Sequence, residues 1–263
     1  MTALPTPART IAALVRGYLP RVLQVRGWVC ALVIVLPVVL SFGLAALFHF
    51  KQPNFSFGAQ ETLIVFHKVL AQLALPILVL VAAPAGIRED LEQRTLPLVL
   101  TRPAQAWVLP FGKGLLWYGW GAIWIVAAVA GLGGLGVDFA TLPFMAAALL
   151  SAFWAELAFM TFLSLVFKRG TLWGALYLLI WDPLVRIFPG NLQRFTFLHY
   201  IESIAGSRGS SVGTSQLLAQ EQISTPWPLA ILVLVLFGIL CWAASGWKLQ
   251  TTPIGLAGAE AEG

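Results

Sequence analysis

Long apolar runs separated by short polar stretches dominate the hydropathy pattern of this chain. Six runs are long enough to cross the hydrocarbon core of a bilayer, which takes about 20 residues of helix. A segment in hydrocarbon must satisfy its own backbone hydrogen bonds, and an α-helix does so. The pattern therefore predicts an all-α polytopic membrane protein with six transmembrane helices at residues 28–48, 61–87, 110–136, 142–167, 171–189 and 227–247.

The residues before the first span follow a helical periodicity instead. Apolar side chains recur every three or four positions between residues 9 and 26, while Arg9 and Arg16 lie on another face. This spacing predicts an amphipathic helix at the membrane surface, kinked or broken at Pro20, within an N-terminal cytoplasmic segment, residues 1–27. Its apolar positions are Ile11, Leu14, Val15, Tyr18, Leu19 and Val22.

Two further segments lie outside the spans. Residues 190–226 begin with an aromatic, semi-polar stretch, which predicts a short external helix at the outer interface before span six. A flexible Gly/Ser run follows it. The six-helix domain thus covers residues 28–248, and residues 249–263 are predicted to be a disordered cytoplasmic tail.

Composition supports the membrane assignment. Apolar residues make up 59% of the chain, charged residues 10%, and the mean hydropathy is +0.85. A soluble domain has about a quarter of its residues charged, so the lipid bilayer is the first expected partner. The net charge is +5, but the basic residues are scattered singly, which excludes the phosphate-binding patch of a nucleic-acid partner.

Basic residues concentrate on one side of the predicted spans. The positive-inside tendency makes that side cytoplasmic, so both termini are cytoplasmic in a multi-pass protein of the inner (plasma) membrane. The opposite side holds Lys51, Arg194 and Arg208, with Arg186 near its boundary. The cytoplasmic set is Arg9, Arg16, Arg21, Arg26, Arg88, Arg94, Arg102, Lys113, Lys168, Arg169 and Lys248.

The most charge-dense run, residues 87–113, lies between spans two and three. Asp90 and Glu92 near the start of a short helix would favour its dipole and offer carboxylates to a basic partner. Pro103 would end that helix. The run is either such a compact helix, parallel to the membrane, or an amphipathic loop that only reconnects two spans. Its apolar face consists of Leu96, Leu98, Val99 and Leu100.

The order of residues in this run resembles the signature region of ABC-2 type transporter permeases. In that family an acidic pair, a Thr-Leu, a leucine-rich turn, a Pro and a Gly-Lys follow the second span. The chain departs from the family at Arg94, where Gly is usual, so the turn is made another way. The matching residues are Asp90 and Glu92, Thr95 and Leu96, Leu98 to Leu100, Pro103, and Gly112 with Lys113.

The resemblance implies a function. The chain would be the transmembrane permease subunit of an ABC transporter, exporting a substrate with energy from a separate cytoplasmic ABC ATPase. Two ATPase copies would serve two permease chains, as a homodimer or a related heterodimer. A cytoplasmic coupling helix between spans two and three would contact the ATPase through Glu89, Asp90, Glu92, Arg94, Thr95, Leu96 and Pro103.

The chain itself lacks the residues for nucleotide chemistry. A phosphate-binding P-loop needs Gly-x-x-x-x-Gly-Lys-Ser/Thr, but Trp107 and Gly114 occupy the first and last of these positions around Gly112 and Lys113. No His-Glu-x-x-His occurs either. The chain is therefore predicted not to be an enzyme and to bind no cofactor, with ATP and Mg²⁺ held by the partner ATPase.

A second function stays open. ATP hydrolysis could drive a conformational signal to an external partner bound at residues 190–226, as a mechanotransmission module without classical transport. Metalloenzyme maturation and envelope assembly are processes of this kind. Transport predicts a cavity at the interface between permease chains, whereas mechanotransmission predicts a closed interface.

Glu156, Lys68 and Asp182 lie well inside predicted spans, where a charge costs at least a few kcal/mol. Glu156 should face protein or water; it either lines the pathway or pairs with a neighbouring helix. Lys68 and Asp182 are expected at similar depth in the outer half, which predicts a structural ion pair. The histidines His49, His67 and His199 lack the close spacing of a metal site, so no metal is predicted.

Overall fold

The structure, a computed structural model, describes residues 7–51, 59–83, 107–135, 137–185, 191–206 and 225–251. Within these ranges the backbone forms helices and connecting turns, and no strand occurs. Five helices are long and apolar enough to cross a membrane. The predicted fold class, an all-α polytopic membrane protein, is confirmed at this level.

Eight helices are present in the described ranges. Two of them, α3 and α6, contain a π-helical section between α-helical ends: Ala59–Ile64, Val65–Ala74 and Leu75–Ala82 in α3, and Gly170–Ala175, Leu176–Trp181 and Asp182–Val185 in α6. A 3-10 turn, Asn191–Phe195, precedes α7. The others are α1 (Pro7–Val22), α2 (Val25–Lys51), α4 (Val108–Gly133), α5 (Leu142–Val166), α7 (Phe197–Ala205) and α8 (Trp227–Thr251).

Five of the six predicted spans contain a helix of spanning length, in α2, α3, α4, α5 and α8. The predicted span at residues 171–189 contains α6, Gly170–Val185, which is apolar but shorter than 18 residues. The six-span arrangement therefore stays a prediction. The predicted tail, residues 249–263, lies outside the described residues beyond Thr251.

The central helix of the bundle is α5. It packs against α3, α4, α6, α7 and α8, and 67% of its apolar window is buried, more than in any other helix of spanning length. Alanines let neighbouring backbones approach closely, as is usual between membrane helices. The buried alanines of α5 are Ala148, Ala152, Ala155 and Ala158.

Two glycines on neighbouring helices fit against aromatic side chains of α5. A Cβ at Gly121 of α4 would lie 2.5 Å from the ring of Phe153, and one at Gly238 of α8 would lie 2.3 Å from the indole of Trp154. Both distances are too short for a side chain. Glycine is therefore required at each point for the helices to pack this closely.

The N-terminal helix differs in its limits from the predicted one. α1 continues through Pro20, in its last turn, and ends at Val22, and α2 already begins at Val25. A proline this close to a helix end removes a single backbone hydrogen bond, so the helix passes through it. Tyr18 and Val22 of the predicted apolar face pack inward, whereas Leu19 is exposed.

Candidate functional site

The inner junction is the contact between α1 and the start of α4, formed by Leu14, Tyr18, Arg21, Gly112 and Lys113. Lys113 is only 2% exposed, and its Nζ lies 4.1 Å from the centroid of the Tyr18 ring. The Arg21 guanidinium lies 5.0 Å from the same centroid. Two cations therefore contact one aromatic ring, an interaction that strengthens where water is excluded.

Gly112 completes the inner junction. A Cβ built there would lie 3.3 Å from Cδ1 and 3.8 Å from Cβ of Leu14, so the glycine leaves room for α1 to lie directly on α4. Gly112 and Lys113 are also the last pair of the permease-like pattern. The sequence indicated that Gly112 and Lys113 belong to this pattern and that Lys113 is one of the basic residues on the cytoplasmic side. It did not indicate their contacts with α1, because these contacts join residues about 100 positions apart.

The residues predicted to contact an ATPase lie outside the described residues, within residues 84–106. Their prediction is unchanged. They are Glu89, Asp90, Glu92, Arg94, Thr95, Leu96 and Pro103.

A second polar group, the outer cluster, lies where α7 begins and consists of Asp182, Thr196, His199, Ser203 and Thr225. The N–H groups of Phe197 and Leu198 donate to the two carboxylate oxygens of Asp182 at 2.9 and 3.3 Å. The N–H of His199 donates to the Thr196 hydroxyl. These are the amides that a helix leaves unsatisfied at its N-terminus, where a negative charge is favourable.

The remaining bonds of the outer cluster join α7 to the start of α8. Thr225 donates its backbone N–H to the Ser203 hydroxyl at 3.2 Å, and its own hydroxyl lies 2.9 Å from Nε2 of His199. Ser203 in turn donates to the His199 carbonyl. Burial lowers the pKa of His199 from its ordinary value of 6.5, and the nearby Arg194 lowers it further. The imidazole is therefore neutral at neutral pH.

The short helix α7 packs against α5 and α8, and its predicted place at the outer interface stays a prediction. The Phe197 ring lies 5.6 Å from that of Phe237 and 6.0 Å from that of Phe159, centroid to centroid. Phe237 lies ten residues into α8, about 15 Å along the helix axis.

Glu156 of α5 lies near the outer cluster. It is 1% exposed, and its Oε2 has no hydrogen-bond partner among the described residues. Its carboxyl interacts electrostatically with Asp182, and Tyr177 of α6 interacts with both. Glu156 thus faces protein, with the Asp182 carboxyl and Tyr177 within electrostatic range. Whether it serves a pathway or an interhelical contact stays open.

Lys68 and Asp182, which are predicted to form an ion pair, differ in their surroundings. Lys68 lies in the π-helical section of α3 and is exposed, whereas Asp182 is 2% exposed. The partners that the structure gives to the Asp182 carboxylate are backbone amides of α7. The ion pair stays a prediction.

A metal centre is not formed by the described residues. No group of three or more His, Cys, Asp or Glu side chains in these ranges is arranged to hold a metal ion. Cys30 and Cys241 are buried and free.

Comparisons with protein-family models, with curated proteins and with solved structures give no match to this chain.

Proposed function

We propose that this chain is the transmembrane permease subunit of an ABC transporter, and that it couples ATP hydrolysis by a separate cytoplasmic ATPase to substrate export. The inner junction is the observation that supports this proposal. Residues 84–106, the segment with the permease-like pattern, lead directly into Gly112 and Lys113. Both of these residues are packed against α1.

Force applied to that segment would therefore act on two helices together. A shift of Gly112 and Lys113 moves α4 along its axis and moves α1 with it, because Leu14 and Tyr18 contact these two residues. α4 in turn contacts the central helix α5 through Gly121 and Phe153. Packed interfaces of this kind move as rigid bodies rather than deforming continuously.

The proposal assigns the chemistry to the partners. Two ATPase copies hold ATP and Mg²⁺, and two permease chains form the pathway between them. Asp90 and Glu92 contact a basic surface of the ATPase, because charge-assisted hydrogen bonds to a carboxylate are strong and directional.

The test is co-purification. A tagged full-length chain, extracted in mild detergent, is expected to bring down an ATPase with measurable ATP hydrolysis, and Asp90→Arg with Glu92→Arg is expected to abolish this. The matched control reverses the charges of the exposed pair Lys168 and Arg169 to Glu in the turn between α5 and α6, and should retain the ATPase. The proposal is wrong if no ATPase is recovered with the wild type, or if the Asp90/Glu92 variant still binds the ATPase.

A second candidate, force transmission to an external partner, is favoured by the outer cluster. α7 is tied to α6 through Asp182 and to the start of α8 through Thr225, so helix movements reach the segment 190–226 directly. Deletion of residues 207–224 distinguishes the two. Loss of an external protein from the purified complex, with ATPase binding unchanged, favours force transmission. Retention of every bound protein argues against it.

A further inference from the structure

An open groove with apolar walls runs beside the corner between α1 and α2. Its volume is about 720 Å³. Several of its side chains are strongly exposed, among them Trp28 at 56% and Leu32 at 57%. The walls are formed by Leu23, Val25, Trp28, Val29, Ala31, Leu32, Val35 and Trp124.

The chemistry of these walls matches an acyl chain. The groove follows one face of α2, a helix of spanning length, and its side chains are aliphatic apart from the two indoles. Trp28 and Trp124 contact each other with ring centroids 6.0 Å apart, which closes one side of the groove. Pockets of about 300–1,000 Å³ are typical for bound small molecules.

Two exposed cations lie close in the chain to the groove residues at the end where α2 begins. Arg21 and Arg26 are both exposed, and in the chain they enclose the groove residues Leu23 and Val25. This is the end that sequence analysis assigns to the cytoplasmic leaflet. Basic side chains in this position attract the anionic headgroups of that leaflet.

We propose that this groove binds one anionic phospholipid of the inner leaflet, with an acyl chain against Trp28, Leu32 and Trp124 and its phosphate beside Arg21 and Arg26. The site is independent of the proposed function, because it needs neither an ATPase nor a cargo. It adjoins the inner junction, since Arg21 also contacts Tyr18. A lipid there braces α1 against α2.

A second copy of the chain fits the groove less well than a lipid does. In a two-fold symmetric pair the same surface meets itself, so each arginine would approach its own copy near the axis. Like charges brought together in this way are unfavourable. A phosphate supplies the opposite charge.

The headgroup requirement is tested by native mass spectrometry of the full chain with phosphatidylglycerol and phosphatidylcholine of identical acyl chains. The wild type should retain phosphatidylglycerol preferentially. Each arginine contributes about fivefold to binding of an anionic surface, so Arg21→Gln with Arg26→Gln should weaken phosphatidylglycerol binding by about 25-fold. Arg26→Gln alone, which leaves the Tyr18 contact in place, should weaken it by about fivefold.

The control for diffuse charge is Lys168→Gln with Arg169→Gln, which removes the same charge at another inner turn. Equal loss in this control, or an unchanged preference in the Arg21/Arg26 variant, overturns the proposal.

The groove itself is tested by filling it. Leu32→Trp should displace the most tightly retained lipid, whereas Ile123→Trp should not, because Ile123 is equally exposed at 61% but lies outside the groove. If Leu32→Trp leaves lipid binding intact, the lipid lies elsewhere. If it separates a dimer into monomers without changing lipid binding, the occupant is a second copy. Either result overturns the proposal.

Discussion

Asp182 illustrates how a single side chain can take a role that its position in the chain does not indicate. It lies in the last turn of α6, yet its carboxylate satisfies two backbone amides of α7. Those amides are buried, so no water replaces the carboxylate if it is removed. A buried donor without an acceptor costs the full free energy of its desolvation.

Asp182→Ala should therefore lower the free energy of unfolding by about 1.5–3 kcal/mol, the range for hydrogen bonds to a charged group. Thermal unfolding in detergent measures the loss. The control is Asp138→Ala, since the Asp138 carboxylate also accepts a backbone hydrogen bond, from Ala140 at 3.2 Å, but is exposed. Equal effects of the two variants would show that the α7 cap contributes nothing beyond a surface turn.

Glu156 is a buried carboxyl that, unlike Asp182, has an oxygen without a hydrogen-bond partner among the described residues. Its Oε2 is buried without a hydrogen-bond partner among the described residues, so the carboxyl bears a desolvation cost that no contact there offsets. Glu156→Met keeps the side-chain length and removes the polar group. We expect unchanged or higher thermal stability, by up to about 1–3 kcal/mol, because Met removes a buried polar group whose burial without a hydrogen bond is unfavourable. A clear loss of stability would reveal a stabilising partner.

At the scale of helices, the contact of α1 with α4 decides how the N-terminal segment behaves. A helix with an apolar face can float at the interface or dock on protein, and the sequence is compatible with both. In the structure it docks, because Gly112 admits Leu14 and Lys113 lies over Tyr18.

The docking predicts a disulfide. The Leu14 Cβ lies 3.8 Å from the Cβ position of residue 112, which is close to the mean Cβ–Cβ distance in disulfides. Leu14→Cys with Gly112→Cys, in a chain with Cys30 and Cys241 replaced by Ala, should cross-link under mild oxidation and change its mobility on a gel. Leu19→Cys with Gly112→Cys should not, since Leu19 is on the exposed side of α1. Cross-linking of both pairs would indicate a mobile α1.

The fit of α4 against α5 is tested by two glycines on one helix. Gly121→Ala forces a methyl group toward the Phe153 ring and should destabilise the protein by about 1–3 kcal/mol, as overpacking does. At Gly119 nothing lies within 4 Å, so Gly119→Ala should stabilise the helix by about 0.5–1 kcal/mol. Unfolding temperatures measure both. A stabilising Gly121→Ala would contradict the close packing.

At the scale of the whole molecule, the arrangement of helices gathers the basic segments at one end. α2 and α4 run parallel, because the Gly27 carbonyl accepts a hydrogen bond from Trp120 and, eleven residues further along both helices, Val38 contacts Gly131. α5 runs antiparallel to α4, because Gly121 contacts Phe153 and Gly133 contacts Leu142. The end of α8 returns to the start of α4, where Gly246 meets Trp107. The starts of α2 and α4 and the end of α8 therefore share one side.

Thiol labelling tests which side of the membrane this is. In a chain without its two native cysteines, Lys168→Cys in the turn between α5 and α6 should react with a membrane-impermeant reagent only after the cells are opened. Asp138→Cys, in the exposed turn between α4 and α5, should react in intact cells. The reverse pattern would invert the topology and remove residues 84–106 from the reach of a cytoplasmic ATPase.

The candidate sites were only partly predictable. The pattern of apolar positions indicated a helix at α1 and that Glu156 would not face lipid, and Thr196 before an apolar stretch is a recognisable helix start. Nothing local indicated that the Asp182 carboxylate would accept hydrogen bonds from α7, or that α7 would pack against α5 and α8. Both depend on α5 and α8, which contact α7 across long sequence separations.

The sequence alone determined that the chain is an all-α polytopic membrane protein, because the free energy of moving a helix into hydrocarbon is a sum over its own residues. Tertiary structure decided the partners. Lys113 lies beneath α1, and the Asp182 carboxylate accepts hydrogen bonds from amides of α7. Each of these depends on the shape that other helices leave available, and no single segment encodes that shape.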